Sequence, residues 1–185
     1  MANRVYLYTI SNIKDKKAKG ISEWEYSIPL AYDILVSANT ISTFSRLFEF
    51  ESDLAIIGDF NSGVDLLHNF MKTLIDQNVC YPDGTPCLIP EIMEETMNFL
   101  HNDKNSEAYF LLEPGEIFDM DAEDSDDFIR LLQEYIEAIK NTKNQVQIFL
   151  ETGQIPQDLL KRMQDESSDY WGLGDFSEYL YYTLE

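Results

Sequence analysis

Along residues 3–10 of the chain, Val5, Leu7 and Thr9 fall on one side of an extended backbone and Tyr6, Tyr8 and Ile10 on the other. Both sides are apolar or aromatic, and this pattern predicts an interior strand covered on both faces. The lysine-bearing segment 11–22 breaks the pattern and reads as a loop. Trp24, Tyr26 and Ile28 alternate again up to Pro29, whose fixed φ suits the first turn of a helix with Leu30, Ile34 and Leu35 inside and an end at Asn39 and Thr40. A short helical turn through Phe44, Leu47 and Phe48 is expected next, and the apolar run 54–58 predicts a buried strand in the middle of a sheet.

Helical spacing then takes over. Val64, Leu67, Met71, Leu74 and Ile75 form one stripe, capped by Asn61 or Ser62 and stopped at Asn78, with His68 one position off it. Pro90 opens a helix with Ile92, Met93, Thr96, Met97 and Leu100 on its inner face and His101 at its end. Residues 107–112 read as a strand. Asp124 or Ser125 caps a long helix with Phe128, Leu131, Leu132, Tyr135, Ile136 and Ile139 inside, broken between Asn141 and Asn144 and followed by a further turn. Pro156 begins a short helix to Met163. The aromatics Tyr170, Trp171, Phe176, Tyr179, Tyr181 and Tyr182 need a surface, so the tail is expected to dock. Separated strands with intervening helices predict a single α+β domain over residues 1–185, a small central sheet packed with several helices, with α/β as the alternative.

Charge changes the picture more than composition does. The 185 residues carry 13 basic and 34 acidic side chains, a net charge of −21. Residues 1–22 hold five positive charges and one negative, +4, so the remaining 163 residues carry −25. Such a field disfavours nucleic acid and anionic membranes and favours a basic protein partner. No apolar run approaches the length of a membrane span, and the start lacks the apolar stretch and cleavage site of a secretory signal, so the expected location is cytoplasmic. In that reducing compartment Cys80 and Cys87, flanking the turn CYPDGTPC, are expected as free thiols.

Catalytic and metal motifs fail when their spacing is checked. An EF-hand loop started at Asp119 would need glycine at its sixth place and glutamate at its twelfth, where Asp124 and Arg130 stand. The C-x6-C pair lacks zinc spacing, there is no GxSxG, and no glycine loop cradles a phosphate. The expectation is therefore no cofactor, no metal and no catalytic residue.

What remains is a surface. Residues 113–137 hold ten acids and the single base Arg130, a net −9 in 25 residues. Aspartates belong at a helix start, but their number exceeds what a cap requires. Asp119, Asp121, Glu123, Asp124, Asp126 and Asp127 are the expected contacts for a cationic partner, with Trp171, Asp175 and Tyr179 of the aromatic tail as anchors.

The opening MANRVYLY and the later EWEYSIPLAYDILVSAN resemble a group of uncharacterised bacterial proteins that share an N-terminal Met-Ala-Asn-Arg strand and a Trp-x-Tyr-x-Ile-Pro-Leu segment. In general character the chain also resembles the immunity proteins of bacterial antagonism. That likeness implies a cytoplasmic, non-enzymatic protein that occludes the basic active-site surface of a cognate toxin domain. The alternative is a small enzyme using paired carboxylates on a cationic or carbohydrate ligand, which would require two acids with raised pKa values in one deep cavity.

Overall fold

The computed structural model describes residues 3–177 and 179–184, except for the Asp175 side chain. Five strands, β1 (Arg4–Ile10), β2 (Lys19–Glu25), β3 (Ile41–Thr43), β4 (Ala55–Asp59) and β5 (Tyr109–Glu113), form one sheet in the order β2-β1-β5-β4-β3. Every neighbouring pair is antiparallel. The helices are α1 (Leu30–Val36), α2 (Phe60–Asp76), α3 (Pro90–Leu100), α4 (Gly115–Phe118), α5 (Ser125–Thr152) and α6 (Gln157–Asp165), followed by a 3-10 segment Ser167–Asp175. The architecture is α+β, as the pattern predicts.

The pleat divides β1 as expected. Val5 and Leu7 join the large core beneath the helices, whereas Tyr6, Tyr8 and Ile10 join a second cluster on the back of the sheet. Interior positions for β1 and β4 also hold. The α1 helix is buried at all seven residues, including Asp33, and so lies inside the helical layer. Its close approach to α2 depends on Gly63, where an added Cβ would run into the Leu35 backbone carbonyl.

Four local expectations change. Strand β2 begins at Lys19, inside the segment read as a loop; a bulge between Leu7 and Tyr8 in its pairing with β1 disrupts the simple alternation. Residues 41–43 form an edge strand, and no helix occupies 44–48. The cap of α2 is Asp59, whose carboxylate accepts from the Ser62 backbone N–H. Helix α5 runs unbroken for 28 residues to Gly153, whose φ of 70° ends it in the left-handed region. Its buried stripe, Leu132, Ile139, Thr142, Val146 and Phe149, passes straight through the expected break, where Asn141 and Asn144 face solvent.

Among the described residues, no helical layer covers the back of the sheet. Tyr6, Tyr8, Ile10, Ala55, Ile57 and Leu111 are covered instead by Ile13, Leu47, Leu180 and Leu184 from loops and the C-terminal tail. The tail reaches this side by crossing the β2 edge. Ser177 N–H donates to the Ile21 carbonyl, Ala18 N–H to the Leu184 carbonyl, and the Tyr8 hydroxyl to the Tyr182 carbonyl at 3.1 Å.

Candidate partner-binding surface

The acidic stretch folds into β5, the short α4, a turn and the start of α5, and its carboxylates separate into two kinds. Some are committed to structure. Asp124 caps α5, one oxygen accepting from the N–H groups of Asp126 and Asp127 at 3.0 Å each. Asp127 replies by accepting from Glu123 N–H at 3.1 Å and pairing with Arg130, contacts that hold its carboxyl below the usual range. Arg130 also pairs with Glu134. The others face solvent: Asp119, Asp121, Glu123 and Asp126 are exposed, and their carboxylates have no hydrogen-bond or ion-pair partner among the described residues.

Beside them opens a cavity of about 230 Å³. Phe48 and Phe50 arrive from the loop after β3 and Phe128 from the first turn of α5, with the Phe50 and Phe128 ring centroids 5.4 Å apart. Leu54 and Gly115 form the floor, and Glu116 and Asp119 supply acid at the wall. Gly115 is required because an added Cβ would meet the Phe48 ring at 2.7 Å. Glu116 is fixed from behind, accepting from Arg4 N–H at 2.8 Å and the Tyr6 hydroxyl at 3.2 Å. The exposed Glu49 and Glu51 alternate with the two loop phenylalanines. This cavity was not foreseen; its trace in the sequence is the run FEFES, aromatics interleaved with acids where no regular element fits.

The tail contributes differently from expectation. Trp171, expected as a partner anchor, is fully buried against Phe70, ring centroids 5.6 Å apart. Three successive left-handed residues, Tyr170, Trp171 and Gly172, turn it into the core, a backbone path that an apolar–polar pattern does not encode. Tyr179 is 91% exposed, as an anchor requires. The Asp175 side chain lies outside the described residues. Tyr182 packs edge-on against Tyr6 at 5.4 Å, so the tail is joined through Tyr6 and Glu116 to the wall of the aromatic cavity.

Two carboxylates are buried, one within an apolar run and one at the end of another. Asp33 accepts from Arg162 at 2.6 Å, from Thr142 at 3.5 Å and from the Tyr135 hydroxyl. Arg162 in turn holds Glu166 at 2.9 Å and the Ile28 carbonyl at 3.0 Å, tying α1, α5 and α6 together. Burial raises the Asp33 carboxyl against the pull of Arg162, yet every neighbour of its two oxygens is a donor, and this cradle suits the ionised form. Glu113 lies on the opposite face, paired across from Tyr6. Burial pushes it up to about 7, against its hydrogen bonds from Ser45 Oγ at 2.6 Å and Arg46 N–H at 2.7 Å. Ser45 Oγ already accepts from the Leu47 and Phe48 N–H groups, so it can only donate to Glu113. The Arg46 guanidinium reaches away to the carbonyls of Ile13 and Asp15, pinning the lysine-bearing loop. The paired-carboxylate alternative asks for two raised acids in one cavity, an arrangement that Asp33 and Glu113 do not make.

Both histidines meet in a cleft of about 560 Å³ between α2 and α3, floored by Ile75, Met93 and Met97. Among the described residues no three or more His, Cys, Asp or Glu side chains are grouped to hold a metal, and no helix is long and apolar enough to cross a membrane. Cys80 and Cys87 are free thiols, one exposed and one buried.

Residues 9–157 match the model of a protein family described as a domain of unknown function, DUF7822. No curated protein and no solved structure matches the chain.

Proposed function

Since the chain belongs to the DUF7822 family, whose description assigns no activity, we propose from its surface that it is a non-enzymatic binding protein for a basic protein partner, acting as an immunity protein that covers a toxin's cationic active site. The observation that carries this reading is the set of four exposed carboxylates, Asp119, Asp121, Glu123 and Asp126, left without a cation at the mouth of α5. A chain that merely needed a capped helix has its cap in Asp124 and Asp127. Unpaired like charges held this close oppose folding, and a complementary partner relieves that repulsion while speeding encounter. The exposed tyrosines of the tail, linked to the same region through Tyr182 and Tyr6, supply apolar contact beside the charge.

The test is co-expression with the product of the adjacent gene, scored for relief of toxicity and for a complex whose affinity falls with salt. Reversal of Asp119, Asp121 and Asp126 to lysine is expected to abolish rescue. The same charge change at Glu134, Glu137 and Glu151, farther along α5, is expected to leave it largely intact. A complex indifferent to salt and to the first set of reversals would sink the mechanism.

A further inference from the structure

We infer that the cavity between Phe48, Phe50 and Phe128 seats a single cationic side chain, a lysine or arginine of the basic partner. The inference rests on the partner being basic and names how one of its residues is held. At about 230 Å³ the cavity falls below the roughly 300–1,000 Å³ of small-molecule sites, yet has room for one long side chain. Its lining changes character from floor to wall. Leu54 and the three half-buried phenylalanines match the methylene stem of such a residue, which packs on apolar surface while its head stays polar. Aromatic faces attract the charged head, and the Asp119 carboxylate, exposed and without a partner among the described residues, stands at the wall to receive it.

The seat is built before the guest arrives. Glu116 is held by Arg4 N–H and the Tyr6 hydroxyl, Phe48 by the Ser45 turn and the bare floor at Gly115, and Phe128 by the capped start of α5. A neutral apolar guest would desolvate Asp119 without compensation, and an anion would be repelled by Glu116 and Asp119 together. An arginine or lysine satisfies both the rings and the acid.

The protein is titrated with Nα-acetyl-arginine methylamide and with its neutral isostere, Nα-acetyl-citrulline methylamide, and the phenylalanine ring resonances are followed by NMR. The arginine probe is expected to give saturable shifts at Phe50 and Phe128, and the citrulline probe to bind about tenfold more weakly. Asp119→Asn, at an exposed position, and Phe128→Leu, which keeps the cavity wall apolar, should each weaken the arginine probe about three- to tenfold. Equal binding of the two probes, an Asp119→Asn variant that binds like the parent, or shifts confined to the cleft between α2 and α3 would overturn the inference. A second arm separates it from the broader reading: a deca-lysine peptide is titrated into the parent and into a variant with Asp121, Glu123 and Asp126 reversed to lysine. Undiminished peptide binding there counts against the acidic surface. Diminished peptide binding together with equal arginine and citrulline affinities removes the cavity alone.

Discussion

The two faces of the sheet are insulated from water by different means, and each hides one carboxylate. On the helical side Asp33 lies inside a layer of α1, α5 and α6 and is answered by a guanidinium. On the back Glu113 lies under loops and a tail, and its two oxygens are answered by a hydroxyl and a backbone N–H. The difference decides what each acid can do. A carboxylate with a fixed cation is locked in one charge state and acts as a clamp, whereas one without a direct ion pair is poised to gain or lose a proton near neutrality. The helical face is therefore rigid by construction, and the back face is the place where protonation and loop order are linked.

The comparison breaks most visibly at the clamp. Asp33→Asn takes the buried charge away from Arg162, which keeps Glu166, and is expected to destabilise the fold by about 3 kcal/mol in urea unfolding, the bottom of the range for buried pairs because Arg162 retains a partner and its side chain is 30% exposed. The next effect belongs to the other acid and depends on pH. Glu113 has a folded-state value of about 7 against an ordinary 4.5, so between these the folded chain holds a proton that the unfolded chain has released. Its contribution is full below pH 4.5 and is lost as pH rises through 7, a decline of about 3 kcal/mol across that window. Glu113→Gln, which imitates the protonated acid, should remove this slope when stability curves of the two proteins are subtracted; an unchanged slope would refute the assignment.

Smaller effects sharpen the contrast. Leu180→Ala in the tail should cost about 1–2 kcal/mol and raise binding of a hydrophobic dye, because among the described residues the back face is screened by loops and the tail. Asp124→Ala, which touches neither face, should cost about 1 kcal/mol through the lost cap, measured by thermal unfolding.

Much of this was legible in the sequence where a single rule governs. The doubled apolar faces of β1, the stripe of α2 and the proline start of α3 are local signals, and the structure follows them. Strand β2 was hidden because its first residues are a lysine and a glycine and its register is interrupted by a bulge. The continuity of α5 was hidden because Asn141 and Asn144 look like a stop, although Thr142 between them is buried and reaches Asp33. The acidic turn could be located, but its division into committed and free carboxylates is a matter of geometry. The two buried acids did leave a trace, Asp33 as a lone charge inside the apolar run LAYDILV and Glu113 as the charge that ends the apolar run YFLLE. The aromatic cavity joins residues 48, 50 and 128, and separations of that size carry no periodic mark.

The strap across the back of the sheet also fixes an order of assembly. Tyr8 and Tyr182, joined by a hydrogen bond, stand 174 residues apart in the chain. During synthesis β1 emerges well before the residues that shield its aromatic side. The helical core can gather around α1 while Tyr6 and Tyr8 remain bare, leaving a nascent chain with one finished side and one adhesive side. Closure of that side waits for the tail, and until then the growing chain carries bare aromatic surface of the kind that invites non-native association.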